Sequence, residues 1–158
     1  MAKVLIVYYS RTGNTKKMAY EIAEGVKEEK IDVIIKNTEE VQLQDFLEAD
    51  GIIAGSPTYF GLPSAELKKL FDDSVKYFGK LEGKVGAAFT SSANVAGGNE
   101  TTIMAILQMM LIHGMVIQGT TSSGHYGPVA IGSPDKNVKE ECKELGKRVA
   151  VLVKKLKG

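Results

Sequence analysis

An α/β domain built on a doubly wound, five-stranded parallel sheet of order 2-1-3-4-5 is what the sequence predicts, from three observations. Short β-branched runs alternate with amphipathic helical segments from one end of the chain to the other, which implies a parallel sheet covered on both faces. The first run, Lys3 to Tyr9, is apolar and aromatic throughout rather than alternating, as a strand buried on both faces must be. The 158 residues suit one domain, taken here as 1–158, with a single sizeable core.

The elements follow in order. After Lys3 to Tyr9 comes an amphipathic helix in which Thr15, Met18, Ala19, Ile22, Ala23 and Val26 share one face, with Lys16, Lys17, Glu21, Glu24 and Lys27 opposite. Val33 to Ile35 is the second strand and Leu43 to Leu47 a short helical piece. Gly51 to Ala54 is the third strand, Ser64 to Phe78 a helix and Val85 to Thr90 the fourth strand. Glu100 to Ile112 is the next helix, Met115 to Gln118 the fifth strand, Gly119 to Pro134 an irregular stretch and Asp135 to Leu156 the last helix. Pro63 and Pro134 stand where helices start. Cys142 shares a helical face with Val138, Leu145, Val149 and Leu156, which makes it a small core residue rather than a nucleophile.

Composition narrows the partners. With 20 basic against 19 acidic residues the net charge is +1, so no summed field draws the chain to nucleic acid or an anionic membrane. A lone cysteine forms no internal disulfide, and no Cys/His cluster has zinc spacing. The run Val4 to Tyr9 is too short to span a bilayer and lacks a signal peptide's cleavage site, so the expected location is the cytoplasm.

In a doubly wound sheet the ligand sits beyond the carboxyl ends of the strands at the switch point, here between strands one and three. Three loops meet there. Ser10-Arg11-Thr12-Gly13-Asn14-Thr15 opens a helix whose free N–H groups and positive dipole end favour an anion, although Ser, Thr and Asn also gather at helix starts simply as caps. Gly55 to Pro63 carries the adjacent aromatics Tyr59 and Phe60, which either pack on a planar ligand or cover the sheet end. Ser91, Ser92, Ala93, Asn94, Val95, Ala96, Gly97 and Gly98 are small enough for their backbone to approach a ring edge. Neither G-x-x-x-x-G-K-[ST] nor G-x-G-x-x-G occurs, which excludes the familiar triphosphate and dinucleotide sites. A phospho-acceptor domain would need acids where Tyr8-Tyr9-Ser10 and Gly55-Ser56 stand, and a cysteine phosphatase would need Cys in the first loop. A bound, unhydrolysed monophosphate on a flat heterocycle remains.

Ser10-x-Thr12-Gly13-Asn14-Thr15 resembles the flavodoxin phosphate loop. Gly55-Ser56-Pro57-Thr58-Tyr59-Phe60-Gly61, Gly83-Lys84 through Ser91-Ser92, Gly97-Gly98-Asn99-Glu100-Thr101-Thr102 and His113-Gly114-Met115-Val116-Ile117 are similar to the WrbA-type NAD(P)H:quinone oxidoreductases. The resemblance covers nearly the whole chain. It implies a flavodoxin-like fold with FMN as cofactor, its phosphate held by Ser10, Arg11, Thr12, Gly13, Asn14 and Thr15. Pro57, Thr58, Tyr59, Phe60 and Gly61 would contact the isoalloxazine, and Ser91 to Gly98 would line its other side. His113 would sit at the flavin edge, from the same or a neighbouring subunit; a helix-end histidine interacting with the dipole is the alternative. His125, beside Tyr126 and Gly127, is either a flavin neighbour or a solvated loop residue.

The chain departs from the reductases in Arg11-Thr12, in Tyr59, in the third loop and in a shorter link between strands two and three. It also lacks an extended segment before His125-Tyr126-Gly127. These departures favour an electron carrier serving redox partner proteins such as ferredoxin-linked enzymes. A quinone reductase is the alternative, and a regulatory FMN-binding module is a third class. The helix Ile103 to Ile112 is apolar nearly all round, so its outer face calls for a cover, and a homodimer with its interface near the flavin edge is expected.

Overall fold

A computed structural model describes residues 1–158. β1 (Lys3–Tyr8) runs between β2 (Asp32–Asn37) and β3 (Gly51–Pro57), and β4 (Val85–Ser92) follows β3, all parallel, so the order begins 2-1-3-4 as predicted. Leu5 stands between Ile34 and Ile52, and Ile6 between Ile35 and Ile53.

The fifth position differs from the single strand Met115 to Gln118. Two short strands share it: β5 (Val116–Ile117) pairs the start of β4 at Val85 and Gly86, and β6 (Val129–Ile131) pairs its end at Thr90 to Ser92. Residues 118–128 leave the sheet between them. The irregular stretch therefore contains a strand, whose three residues are too few to show a period. Gly127 brings the chain back so closely to β4 that a Cβ there would meet the Ala88 carbonyl oxygen at 2.1 Å.

Side chains of the strands alternate between two cores. Val4, Ile6, Ile53 and Phe89 face α1 (Asn14–Glu28) and α5 (Lys136–Lys157), packing on Met18, Ile22, Leu145 and Val149. Leu5, Val7, Ile52 and Ala88 face α2 (Leu43–Glu48), α3 (Ala65–Asp73) and α4 (Asn99–Ile112), packing on Phe46, Leu67, Ile103 and Ile106. The predicted helix Ser64 to Phe78 is thus α3 plus one tighter 3-10 turn, Ser74–Tyr77. Ser64 caps α3 by accepting from the Leu67 N–H, and Asp135 caps α5 by accepting from Val138.

α1 and α5 cross almost backbone to backbone. A Cβ on Gly25 would lie 2.0 Å from the Lys143 carbonyl oxygen, and one on Gly146 would lie 2.1 Å from that of Ile22. Cys142 is fully buried on α5 as expected, and burial, with Glu21 and Glu141 adding, pushes its thiol up to about 12.

Candidate functional site

All three loops end at the carboxyl edge of the sheet, and a cavity of about 320 Å³ lies among them. Its phosphate-loop side is formed by Ser10, Arg11, Thr12, Asn14 and Thr15. Pro57, Thr58 and Tyr59 form a second side, and Ser91, Ser92 and Ala93 a third. Gly132, just after β6, completes the lining and was missed in the sequence; its N–H donates to the Ser92 carbonyl at 2.9 Å. The β-branched Val129-Ala130-Ile131 before Gly132-Ser133-Pro134 was the available signal.

The first loop is shaped by one side chain. Ser10 Oγ accepts from the Gly13 N–H at 3.1 Å and the Lys16 N–H at 3.3 Å, and Gly13 takes φ 101°, a conformation costly for any other residue. The N–H groups of Arg11, Thr12, Asn14 and Thr15 have no partner within the chain. Four unpaired donors at a helix start fit a phosphate. Arg11 is the only charged residue lining the cavity, and no acid opposes it. Thr15, buried at the floor, shares a hydrogen bond of 2.8 Å with Ser91 Oγ, tying the first loop to the third.

Tyr59 lies edge to face against Tyr9, ring centroids 6.4 Å apart, and makes the aromatic wall. Burial first, then Glu66 and Tyr59, raises the Tyr9 phenol above its ordinary value, so it stays neutral. Phe60 behaves differently from the expected ring contact. It occupies a tight turn closed by paired hydrogen bonds between Tyr59 and Leu62, at φ 52°, with its side chain fully in solvent and outside the cavity. Gly61 of that turn packs on Gly98: a Cβ at Gly98 would stand 2.6 Å from the Gly61 Cα, and Thr101 Oγ1 donates to the Gly61 carbonyl at 2.8 Å. Asn94, Val95 and Gly97 lie on the exposed rim of the third loop, where no N–H from residue 93 to residue 98 has a partner in the chain. These free donors fit the polar edge of a flavin ring.

The two histidines are not brought to the cavity of their own chain. α4 starts at the carboxyl edge and runs back along the sheet, so His113 at its end lies near the start of β4, where Gly83 donates to the Gly114 carbonyl. Eight strand residues separate the two edges, about 25 Å. There Ser74 Oγ donates to the Phe71 carbonyl, so His113 Nε2, 2.8 Å away, is the donor to Ser74, and the buried Nδ1 is an unprotonated acceptor without a partner. His125 is exposed in the 118–128 segment, its Nδ1 2.9 Å from the Thr120 carbonyl.

Burial lowers the His113 pKa, so the unfolded chain binds that proton more readily than the folded one. Stability is therefore expected to fall as pH drops below about 6.5, the loss being complete below the depressed folded value. Urea midpoints taken between about pH 7 and pH 5 should slope less in His113→Gln than in the parent. Equal slopes would remove His113 as the cause.

A sheet of this order with a monophosphate-sized cradle at its switch point defines a mononucleotide-binding α/β protein. Comparison with known proteins makes that specific. The flavodoxin family profile matches residues 6–101. A flavodoxin of Aquifex aeolicus is 43% identical over 97% of this chain and 88% of its own. An NAD(P)H dehydrogenase (quinone) of Archaeoglobus fulgidus is 34% identical over 99% of this chain and all of its own. Among solved structures, a WrbA-like flavodoxin from Agrobacterium tumefaciens superposes with a TM-score of 0.86 at 29% identity, covering 98% of this chain and 99% of that one. The chain belongs to the flavodoxin family, whose cofactor is FMN.

Proposed function

We propose that this protein is an FMN electron carrier that passes electrons between redox partner proteins, ferredoxin-linked enzymes among them. FMN supplies reversible electron transfer when bound. The chain's own residues hold and shield it: the Arg11, Thr12, Asn14 and Thr15 N–H groups with the Thr12 and Thr15 hydroxyls would take the phosphate. Tyr59 would cover one ring face, and the third-loop N–H groups would meet the ring's polar edge. The observation that carries the choice of carrier is Phe60, a fully exposed aromatic fixed in a positive-φ turn beside Tyr59. An apolar ring held in water next to the site suits contact with a protein surface.

A quinone reductase is the second reading, supported by the quinone-dehydrogenase relative and by an apolar groove that continues from Leu62 and Pro63 along Ala105, Met109 and Ile112. Mixing the FMN-loaded protein with NADH or NADPH and a benzoquinone separates the two. No steady turnover, together with fast electron exchange with a ferredoxin-linked enzyme, is the expected result; rapid quinone turnover would replace the carrier with the reductase. The single buried cysteine suits a reducing compartment, the cytoplasm.

The proposal extends to a homodimer through the outer face of α4. Met104, Leu111 and Ile112 are exposed there. Met110 is buried in the core, so an interface test belongs at half-buried Met109 or at an exposed position such as Ile112. Light scattering should give a dimer mass for the parent and a monomer for Ile112→Lys, because a lysine there buries an unpaired charge at the contact. A monomeric parent would end the dimer.

A further inference from the structure

A second cavity, of about 570 Å³, lies away from the FMN loops, between α5 and the 118–128 segment that splits the fifth strand. That volume is in the range of small-molecule sites. Arg148 forms part of its wall. Of the 20 cationic residues only Arg11 and Arg148 are arginine, so the chain otherwise uses lysine for surface charge. Arg11 lies in the first loop; Arg148 is half-buried on α5, outside the cavity formed by the three loops.

The environment of Arg148 is incomplete. Its Nε is buried and has no hydrogen-bond partner, and no carboxylate lies within ion-pair distance of the guanidinium. The nearest acid is engaged elsewhere: Lys147 holds Glu144 at 3.6 Å and Glu28 at 2.7 Å. An arginine cannot shed its charge at neutral pH, so a buried Nε–H with no acceptor costs stability unless an oxyanion completes it, while the rest of the half-buried guanidinium is open to the cavity. The rest of the cavity limits what such an anion is attached to. One turn beyond Arg148, Val151 and Leu152 give an apolar strip, and Lys155 a further cation. Toward the loop stand Thr120, Ser122 and Gln118, and the carboxylates of Glu140 and Glu141, with Glu144 between them and Arg148. Of these, Glu141 accepts from the Ser123 hydroxyl and Glu140 lies 3.9 Å from Lys143. The cavity is thus cationic at one end and rich in acceptors at the other.

We propose that this cavity binds a small organic oxyanion, its phosphate or carboxylate on Arg148 and its hydroxyl groups toward the glutamates and the 118–124 loop. The guanidinium fork takes either oxyanion bidentately. The acceptor end selects a polyhydroxylated body over a bare ion, because hydroxyl donors offset the nearby negative charge. The site is separate from the phosphate loop and would be occupied with FMN in place.

The test uses the FMN-loaded protein, so that the phosphate loop is already filled. Glucose 6-phosphate, gluconate and uncharged glucose are titrated while the amide resonances of Ser122, Gly124 and Val151 are followed. Saturable shifts with one or both anions, and none with glucose, are expected; the tighter of the two identifies phosphate or carboxylate as the head group. Arg148→Met should weaken the anion about tenfold or more, and Arg148→Lys less, since it keeps the charge and loses the fork. FMN affinity should be unchanged in both, which shows that the fold is intact. Absence of saturable shifts with either anion, equal shifts with glucose, or an Arg148→Met protein that binds as well as the parent would each overturn the proposal.

Discussion

Replacing Thr12 and Thr15 together by alanine is expected to cost FMN far more affinity than riboflavin. Hydrogen bonds to a charged acceptor contribute roughly 1.5 to 3 kcal/mol each, so loss of two weakens FMN by at least about a hundredfold if they act independently. Riboflavin has no phosphate to lose. Its affinity should fall only through the floor contact between Thr15 and Ser91, 2.8 Å apart. Quenching of flavin fluorescence measures both ligands on the same protein, and equal losses would mean that these hydroxyls do not hold phosphate. Ser10→Ala makes an instructive contrast. Ser10 Oγ already accepts from Gly13 and Lys16, so its removal loosens the loop itself and should reach phosphate through the lost backbone geometry.

The largest effect on stability is expected at the α1–α5 crossing. Gly146→Val places its first side-chain carbon 2.1 Å from the Ile22 carbonyl oxygen, inside van der Waals contact with a backbone atom that cannot rotate away. The helices must separate, uncovering Met18, Ile22, Leu145 and Val149. Relief from a helical glycine returns about 1 kcal/mol at most, whereas overpacking typically costs 1 to 3 kcal/mol and opening the core adds to that, so a net loss of roughly 3 kcal/mol or more follows. Urea unfolding reads it directly, and a variant as stable as the parent would show that the crossing can relax. FMN affinity should drop in the same variant, because α1 presents the phosphate loop at its first turn.

Much of this was legible in the chain. Lys3 to Tyr9 announced a doubly buried strand, and Thr15 to Val26 marked the face of α1 that the structure buries. The switch-point rule locates the three loops from sequence alone, and eleven of the residues expected there line one cavity. The split fifth strand was not legible, because two and three residues carry no periodicity and their pairing depends on Gly127 lying against Ala88. Phe60 was read from its chemistry alone; the turn that turns it outward depends on Gly61 meeting Gly98, a contact between distant loops. His113 was more accessible to reason than to resemblance. A helix of 14 residues starting at the carboxyl edge travels about 21 Å back toward the opposite edge, so its last residue cannot face the starting loops of the same chain.

The buried thiol of Cys142 has a use at the bench. A pKa near 12 and a fully enclosed sulfur leave essentially no thiolate at neutral pH, and thiolate is the species that peroxide and alkylating reagents attack. The chain's only cysteine stays out of reach of both while the fold is closed. Iodoacetamide incorporation at this one position therefore counts openings of the α1–α5 layer, giving a clock for unfolding in mixtures where optical signals are masked by the yellow cofactor.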